Sequence, residues 1–125
     1  MSESEIFQKA IEELKSDLGN ALVSTDIWHS KGEAKSLFGD DLQPIMVTLF
    51  NEFTRVLKKI LDTSSVPGLG SYYLVELEND HVVVVVVFGE YQQLMLVDMT
   101  KTTMGVVISV ALPTLLKTLN EAASG

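Results

Sequence analysis

The sequence contains no cysteine, which excludes disulfides and thiolate metal centres and leaves the fold to be held by its core alone. Positive charge is scarce: nine Lys and Arg stand against 17 Asp and Glu, a net charge of −8. That balance opposes general attraction to phosphate backbones and anionic lipid, so nucleic acid and membrane surfaces are poor partners. Also missing is an apolar run near the roughly 20 residues that a membrane helix needs. The run that begins at Val82 ends at Phe88. The opening "MSESEIFQKA" carries acid where a secretion signal carries positive charge, and no apolar stretch follows it. These absences predict a cytoplasmic protein with no membrane insertion.

What remains is apolar. Hydrophobic residues make up 46% of the 125 positions, enough for one domain, residues 1–125, with a core that needs no covalent staple. The acidity reads first as a charged surface that keeps such a chain in solution.

Helical spacing opens the chain. In "SESEIFQKAIEELKSDLGN", Ser2 and Glu5 fit a capping box, Phe7, Ile11, Leu14 and Leu18 recur on one face, and Gly19 supplies a stop. "ALVSTDIWHSKGEAKSLFG" reads as a hairpin turning at His29 to Gly32, its second arm the weaker. A second helix follows in "DDLQPIMVTLFNEFTRVLKKILDTS", with Asp41 as the predicted N-cap and Pro44 in the first turn. On its wheel Ile45, Val56, Leu49, Ile60, Phe53, Met46, Leu57, Phe50 and Leu61 fill an apolar arc of roughly 160°. That is wide enough for two apolar contacts. The opposite arc, Asn51, Glu52, Thr54, Arg55, Lys58 and Lys59, reads as wet.

Three β segments come next: Tyr72 to Glu78, His81 to Phe88 and Tyr91 to Asp98. The connectors "END" and "GE" are short enough only for hairpins, so the three form an antiparallel meander. Val82 to Val87 is apolar on both faces, where a strand with one wet face would alternate. The run therefore predicts an interior strand with helices covering both sides, which also removes a sticky unpaired edge.

In "TKTTMGVVISVALPTLLKTLNEA", local propensity and spacing disagree. Val106 to Leu112 is rich in β-formers, and Pro113 inside a helix costs about 3 kcal/mol. Yet Gly105, Ser109, Pro113, Lys117 and Glu121 recur every four residues, leaving the remaining face almost wholly apolar. Spacing predicts one helix from about Met104, capped by Thr102 or Thr103 and bent near Pro113.

Groups able to do chemistry are few. His29 and His81 are the only histidines, each beside a turn and neither in a ligand-spaced cluster. "GLGS" at Gly68 lacks the lysine of a phosphate-binding loop and the longer glycine fingerprint of a dinucleotide fold, so it reads as a strand-entry loop. Asp40 and Asp41 read as capping groups ahead of half a metal site. No catalytic residue, cofactor or metal is assigned. Trp28 suits the core or a partner contact, and the strand period sends Tyr72 and Tyr73 to opposite faces.

The order α-β-β-α-β-β-β-α, with "YYLVELENDHVVVVVVFGEYQQLMLVDMTKTTMG" leading into the last helix, resembles the Roadblock family of dynein light chains and MglB-type GTPase regulators. The resemblance covers nearly the whole chain. It implies an α+β, profilin-like fold: a five-stranded antiparallel sheet with helices on both faces. It also implies a non-enzymatic homodimer, or a pair with a second Roadblock-type subunit, that binds a small Ras-like GTPase or a motor-type complex. The implied dimer surface combines the second helix and the strand that opens the meander, with Met46, Phe50, Phe53, Leu57, Leu61, Tyr72, Leu74 and Glu76 as candidates. Arg55, Lys58 and Lys59, the concentrated positive charge of an acidic chain, are the candidate partner contacts. A PAS-like sensory module, whose sheet would cradle a small ligand, is the alternative; it requires a polar-lined cavity.

Overall fold

Ser2 starts the first helix as its sequence indicates. The computed structural model describes residues 2–124, with side chains to residue 121. In α1 (Glu3–Leu18) the Ser2 hydroxyl accepts the Glu5 N–H at 3.3 Å and donates to Glu5 Oε1 at 2.9 Å, so two groups are satisfied at the cap. Phe7, Ala10, Ile11, Leu14 and Leu18 form the buried face. Gly19, at φ 55°, ends the helix in a conformation costly for other residues. A 3₁₀ turn, Gly19–Ala21, then leads into β1 (Leu22–His29).

The expected hairpin partner of β1 shrinks to two residues. β2 (Phe38–Gly39) pairs antiparallel with Ile27 and Asp26, and side chains do the work that a longer ladder would do. The Asp26 carboxylate, 4% exposed, accepts the Ser36 hydroxyl at 2.6 Å and the Asp41 N–H at 2.8 Å, while Asp40 accepts the Thr25 N–H at 2.9 Å. Gly39 lies so close to β1 that a Cβ there would fall 2.2 Å from the Thr25 carbonyl oxygen.

That network corrects the expected cap. Asp41 sits at φ 48°, with its N–H committed to Asp26, and α2 (Pro44–Asp62) begins three residues later, after Gln43, which makes no side-chain cap bond. Pro44 takes the first helical position, where its missing N–H and fixed φ carry no penalty. The Asp40–Asp41 pair therefore ties the β2 segment to β1 and caps nothing.

The meander forms as its sequence indicates, with β3 (Tyr72–Leu77), β4 (His81–Phe88) and β5 (Tyr91–Asp98). All neighbours are antiparallel in the order β2-β1-β5-β4-β3, so the valine strand β4 is interior and β3 forms an edge. Its side chains serve two cores in turn. Val82, Val84 and Val86 pack with α1 and the C-terminal helix, and Val83 and Val85 pack with Trp28, Val47, Phe50 and Leu94 on the α2 side. Each face of the sheet is thus covered by helix, which is why no polar residue interrupts the run.

The C-terminal helix has three parts: α3 (Met104–Val106), a π-helical turn (Val107–Ala111) and α4 (Leu112–Ser124). Thr103 is its cap, its hydroxyl accepting the Val106 N–H at 3.2 Å. The π turn falls one residue before Pro113. There the Leu112 N–H reaches Val107 O, five residues back, which widens the helix where the proline ring would press on the preceding turn. Thr114 of α4 donates its hydroxyl to Val110 O at 3.0 Å, a side-chain bond back into the widened turn. Gly105, Ser109, Pro113, Lys117 and Glu121 are all exposed, and Val107, Ala111, Leu112, Leu115 and Leu119 are buried.

Candidate functional site

The wide arc of α2 splits in two. One half turns to the sheet: Val47 and Phe50 are buried, and Met46, Leu57 and Leu61 are half-buried. The other half turns to solvent as an uninterrupted stripe, with Ile45 67%, Leu49 55%, Phe53 45%, Val56 38% and Ile60 58% exposed. An isolated exposed apolar residue is ordinary, but five on consecutive turns of one helix form a patch of the kind found at interfaces.

Two residues expected on the wet side point inward. Thr54 is 2% exposed and donates to Phe50 O at 2.8 Å. Its single proton is thereby used, so the Tyr73 hydroxyl 2.5 Å away is the donor to Thr54 Oγ1. Burial pushes the Tyr73 phenol up, opposed by the bond to Thr54. Asn51 accepts the Trp28 indole N–H at 3.0 Å and the Gln92 amide at 2.9 Å. Trp28 is fully buried, so it is a core residue and not a partner anchor. The polar side of α2 facing the sheet exists because Trp28, Gln92 and Tyr73 each need a partner there.

The stripe lies beside an open strand edge. Phe53 of the stripe packs on Tyr73 of β3 with ring centroids 5.5 Å apart, so helix and edge form one surface. Val87 N–H donates to Ser71 O at 2.9 Å, which fixes the antiparallel alternation: Tyr73, Val75 and Leu77 exchange bonds with β4, and Tyr72, Leu74 and Glu76 direct their N–H and C=O groups outward. Tyr73, Val75 and Leu77 are also the side chains that pack toward α2, while Leu74 packs toward the opposite core.

The candidate interface residues thus occupy different environments. Phe50 is 7% exposed, inside the α2-side core. Phe53 lies on the open stripe, and Tyr72, Leu74 and Glu76 offer free backbone groups. Ile45, Leu49, Val56 and Ile60 belong with Phe53; their spacing was visible, but which half of the arc faces the sheet depends on the inward turn of Asn51 and Thr54.

Arg55, Lys58 and Lys59 are exposed on the outer side of α2. Arg55 is paired with Glu52, and that hydrogen bond holds the Glu52 carboxyl below its usual range. Lys58 and Lys59 have no carboxylate within ion-pair distance among the described residues. The two histidines stay at turns: His29 contacts Glu90 at 3.3 Å, and His81 contacts Asn79 O at 2.6 Å. Gly68 lies in the loop entering β3. Among the described residues no group of three or more His, Cys, Asp or Glu is placed to hold a metal. No helix among them is long and apolar enough to cross a membrane.

No family model matches the chain, and no curated protein matches it. Solved structures do. The gliding protein MglB of Thermus thermophilus superposes with a TM-score of 0.73 at 15% identity, covering 99% of this chain and 93% of that one. An MglB with a tetrameric arrangement gives 0.65 at 16% identity over 94% and 92% of the two chains. A Roadblock/LC7 domain from Streptomyces avermitilis gives 0.61 at 14% identity over 91% and 94%. Identities this low show the fold alone: the chain has the fold of these MglB and Roadblock/LC7 structures.

Proposed function

We propose that the chain acts by binding and not by catalysis: it pairs with a second copy, and the paired surface engages a small Ras-like GTPase or a subunit of a motor-type complex. The observation that carries the pairing is the exposed stripe Ile45, Leu49, Phe53, Val56 and Ile60 lying beside the open edge of β3. A second copy fits both at once. Antiparallel pairing of two β3 strands about a two-fold axis at Leu74 sets Tyr72 of one copy against Glu76 of the other, so the two Glu76 carboxylates are kept apart. The same axis brings the two α2 stripes side by side and removes both an apolar patch and an unpaired edge from water. Self-association in this fold is supported by the tetrameric arrangement described for one of the similar MglB structures.

The GTPase reading is supported by the Roadblock resemblance and by charge. Arg55, Lys58 and Lys59 concentrate positive charge on the outer side of α2 in a chain of net charge −8, so they would steer an acidic partner surface.

Light scattering at micromolar concentration should report twice 13.7 kDa. Phe53→Asp, which places a charge in the middle of the stripe, should yield 13.7 kDa with the far-ultraviolet spectrum unchanged. A parent that is monomeric at that concentration sinks the pairing. Reversal of Arg55 and Lys58 to Glu should leave the dimer intact while slowing association with the GTPase and weakening its salt dependence. An unchanged on-rate would remove the partner from this side of α2.

A further inference from the structure

On the flank of α2 opposite the stripe, a pocket of about 240 Å³ opens between the helix and the β4–β5 turn. Its floor includes Val87 and Gly89. Val82 to Val86 are buried, whereas Val87 is half-buried and Gly89 exposed, so the valine run ends on apolar surface that no side chain covers.

Helical spacing directs a charge over that floor. Val47, Asn51, Thr54 and Lys58 succeed one another at intervals of four, three and four residues, one face of α2. Val47 and Thr54 are 1% and 2% exposed, and Asn51 is bonded to Trp28 and Gln92, so this is the face that the sheet covers. At Lys58 the cover stops, and the side chain lines the pocket while remaining exposed. Side chains on a helix lean toward its N-terminus, which carries Lys58 back over Thr54 toward Asn51.

The second free group is on Asn51, which also lines the pocket. The Trp28 indole can only donate, so the Asn51 atom facing it is the carbonyl oxygen. Asn51 Nδ2 then has no bond partner among the described residues, and it is not one of their unpaired side-chain atoms shut off from solvent, which are Asp17 Oδ2, Gln92 Oε1 and Gln93 Oε1. It is an accessible donor. The Thr54 hydroxyl, by contrast, is committed to Phe50 O and Tyr73.

These groups define the ligand by charge, polarity and size. Arg55 at the rim is paired with Glu52, and Glu90 of the adjoining turn with Lys31, whereas Lys58 has no ion-pair partner among the described residues. One uncommitted positive charge and one amide donor suit a single anionic group that only accepts. The volume is below the roughly 300–1,000 Å³ of sites for drug-sized ligands, so the rest of the molecule is a few carbons long. We propose that the pocket binds a short aliphatic monocarboxylate, its carboxylate accepting from the Lys58 ammonium and Asn51 Nδ2 and its chain lying on Val87 and Gly89.

The test is a titration with butyrate, read on the backbone amide resonances of Val87 and Gly89 and the side-chain amide of Asn51 at fixed, low ionic strength. Butyrate in the millimolar range should shift all three saturably. Butyramide, which has the chain without the charge, should bind at least about tenfold more weakly, and acetate, two methylenes shorter, at least about threefold more weakly. Lys58→Gln should weaken butyrate binding at least about tenfold, while Lys59→Gln, outside the pocket, should leave it unchanged. The pocket lies within one copy and on the flank away from the stripe, so Phe53→Asp should retain the shifts, and failure here is distinct from failure of the pairing. The proposal is overturned by the absence of saturable shifts, by butyramide or acetate binding as well as butyrate, by an unaffected Lys58→Gln, or by loss of the shifts in Phe53→Asp.

Discussion

Replacing Asn51 by Leu tests whether the polar side of α2 contributes to stability. Its side-chain oxygen is the acceptor for two donors, the Trp28 indole and the Gln92 amide, on residues that are 0% and 2% exposed. Leucine is similar in size but accepts nothing, so both donors are stranded. At about 1–3 kcal/mol for each buried group left unmet, the loss is about 2–6 kcal/mol. Local repacking around the leucine lets one of the two donors find water, which places the expected loss in the lower half, about 2–4 kcal/mol. For a chain of this size that is about 8–16 °C in Tm. The measurement is urea unfolding at fixed protein concentration, since pairing makes apparent stability depend on concentration. Asn51→Asp keeps an acceptor in place and should lose less than the leucine variant. If Asn51→Leu stays within about 0.5 kcal/mol of the parent, the range of an ordinary surface change, the network has no energetic role and the inward turn of α2 needs another cause.

Two further outcomes are expected. Gly39→Ala forces a Cβ to within 2.2 Å of the Thr25 carbonyl at a backbone φ of 128°, so unfolding should show a loss above about 2 kcal/mol, concentrated in faster amide exchange across β2; a neutral result would refute the close approach. Burial raises the Asp26 carboxyl above its ordinary 3.8, against the lowering effect of Ser36 and Asp41. Folding therefore favours the protonated form: this stability is complete below the unfolded value and is lost as pH rises through the folded one. Asp26→Asn, which keeps the Oδ1 acceptor used by both donors, should remove that slope from a plot of stability against pH, and an identical slope in parent and variant would rule it out.

Much of the architecture was legible because it followed from periodicity. The valine run, apolar on both faces, and the four-residue spacing through Pro113 both predicted elements that formed, the second against local propensity. What was not legible depended on contacts distant in sequence. Asp41 looks like a helix cap, but its N–H is claimed by Asp26, 15 residues earlier. Asn51 and Thr54 look wet by composition, yet they face inward because Trp28, Gln92 and Tyr73 need partners. Since those two residues set the rotation of α2, an error about them carries over to which half of the apolar arc is open. The role of Gln92 was invisible for a related reason: it lies opposite the valine run and gains meaning only when Asn51 of α2 is in place.

The valine strand also raises a question of information. Moving β4 by one residue against its neighbours replaces valine with valine at most positions, so the usual penalty for slippage, an apolar residue exchanged for a polar one, is nearly absent. The strand cannot read its own alignment. That must be imposed from its ends, by the hairpin in which Asn79 and Asp80 take φ of 59° and 56° and by Gly89 at 57°. Sequence changes in those two turns, remote from either core, are where this chain would acquire a second, misaligned fold of nearly equal energy.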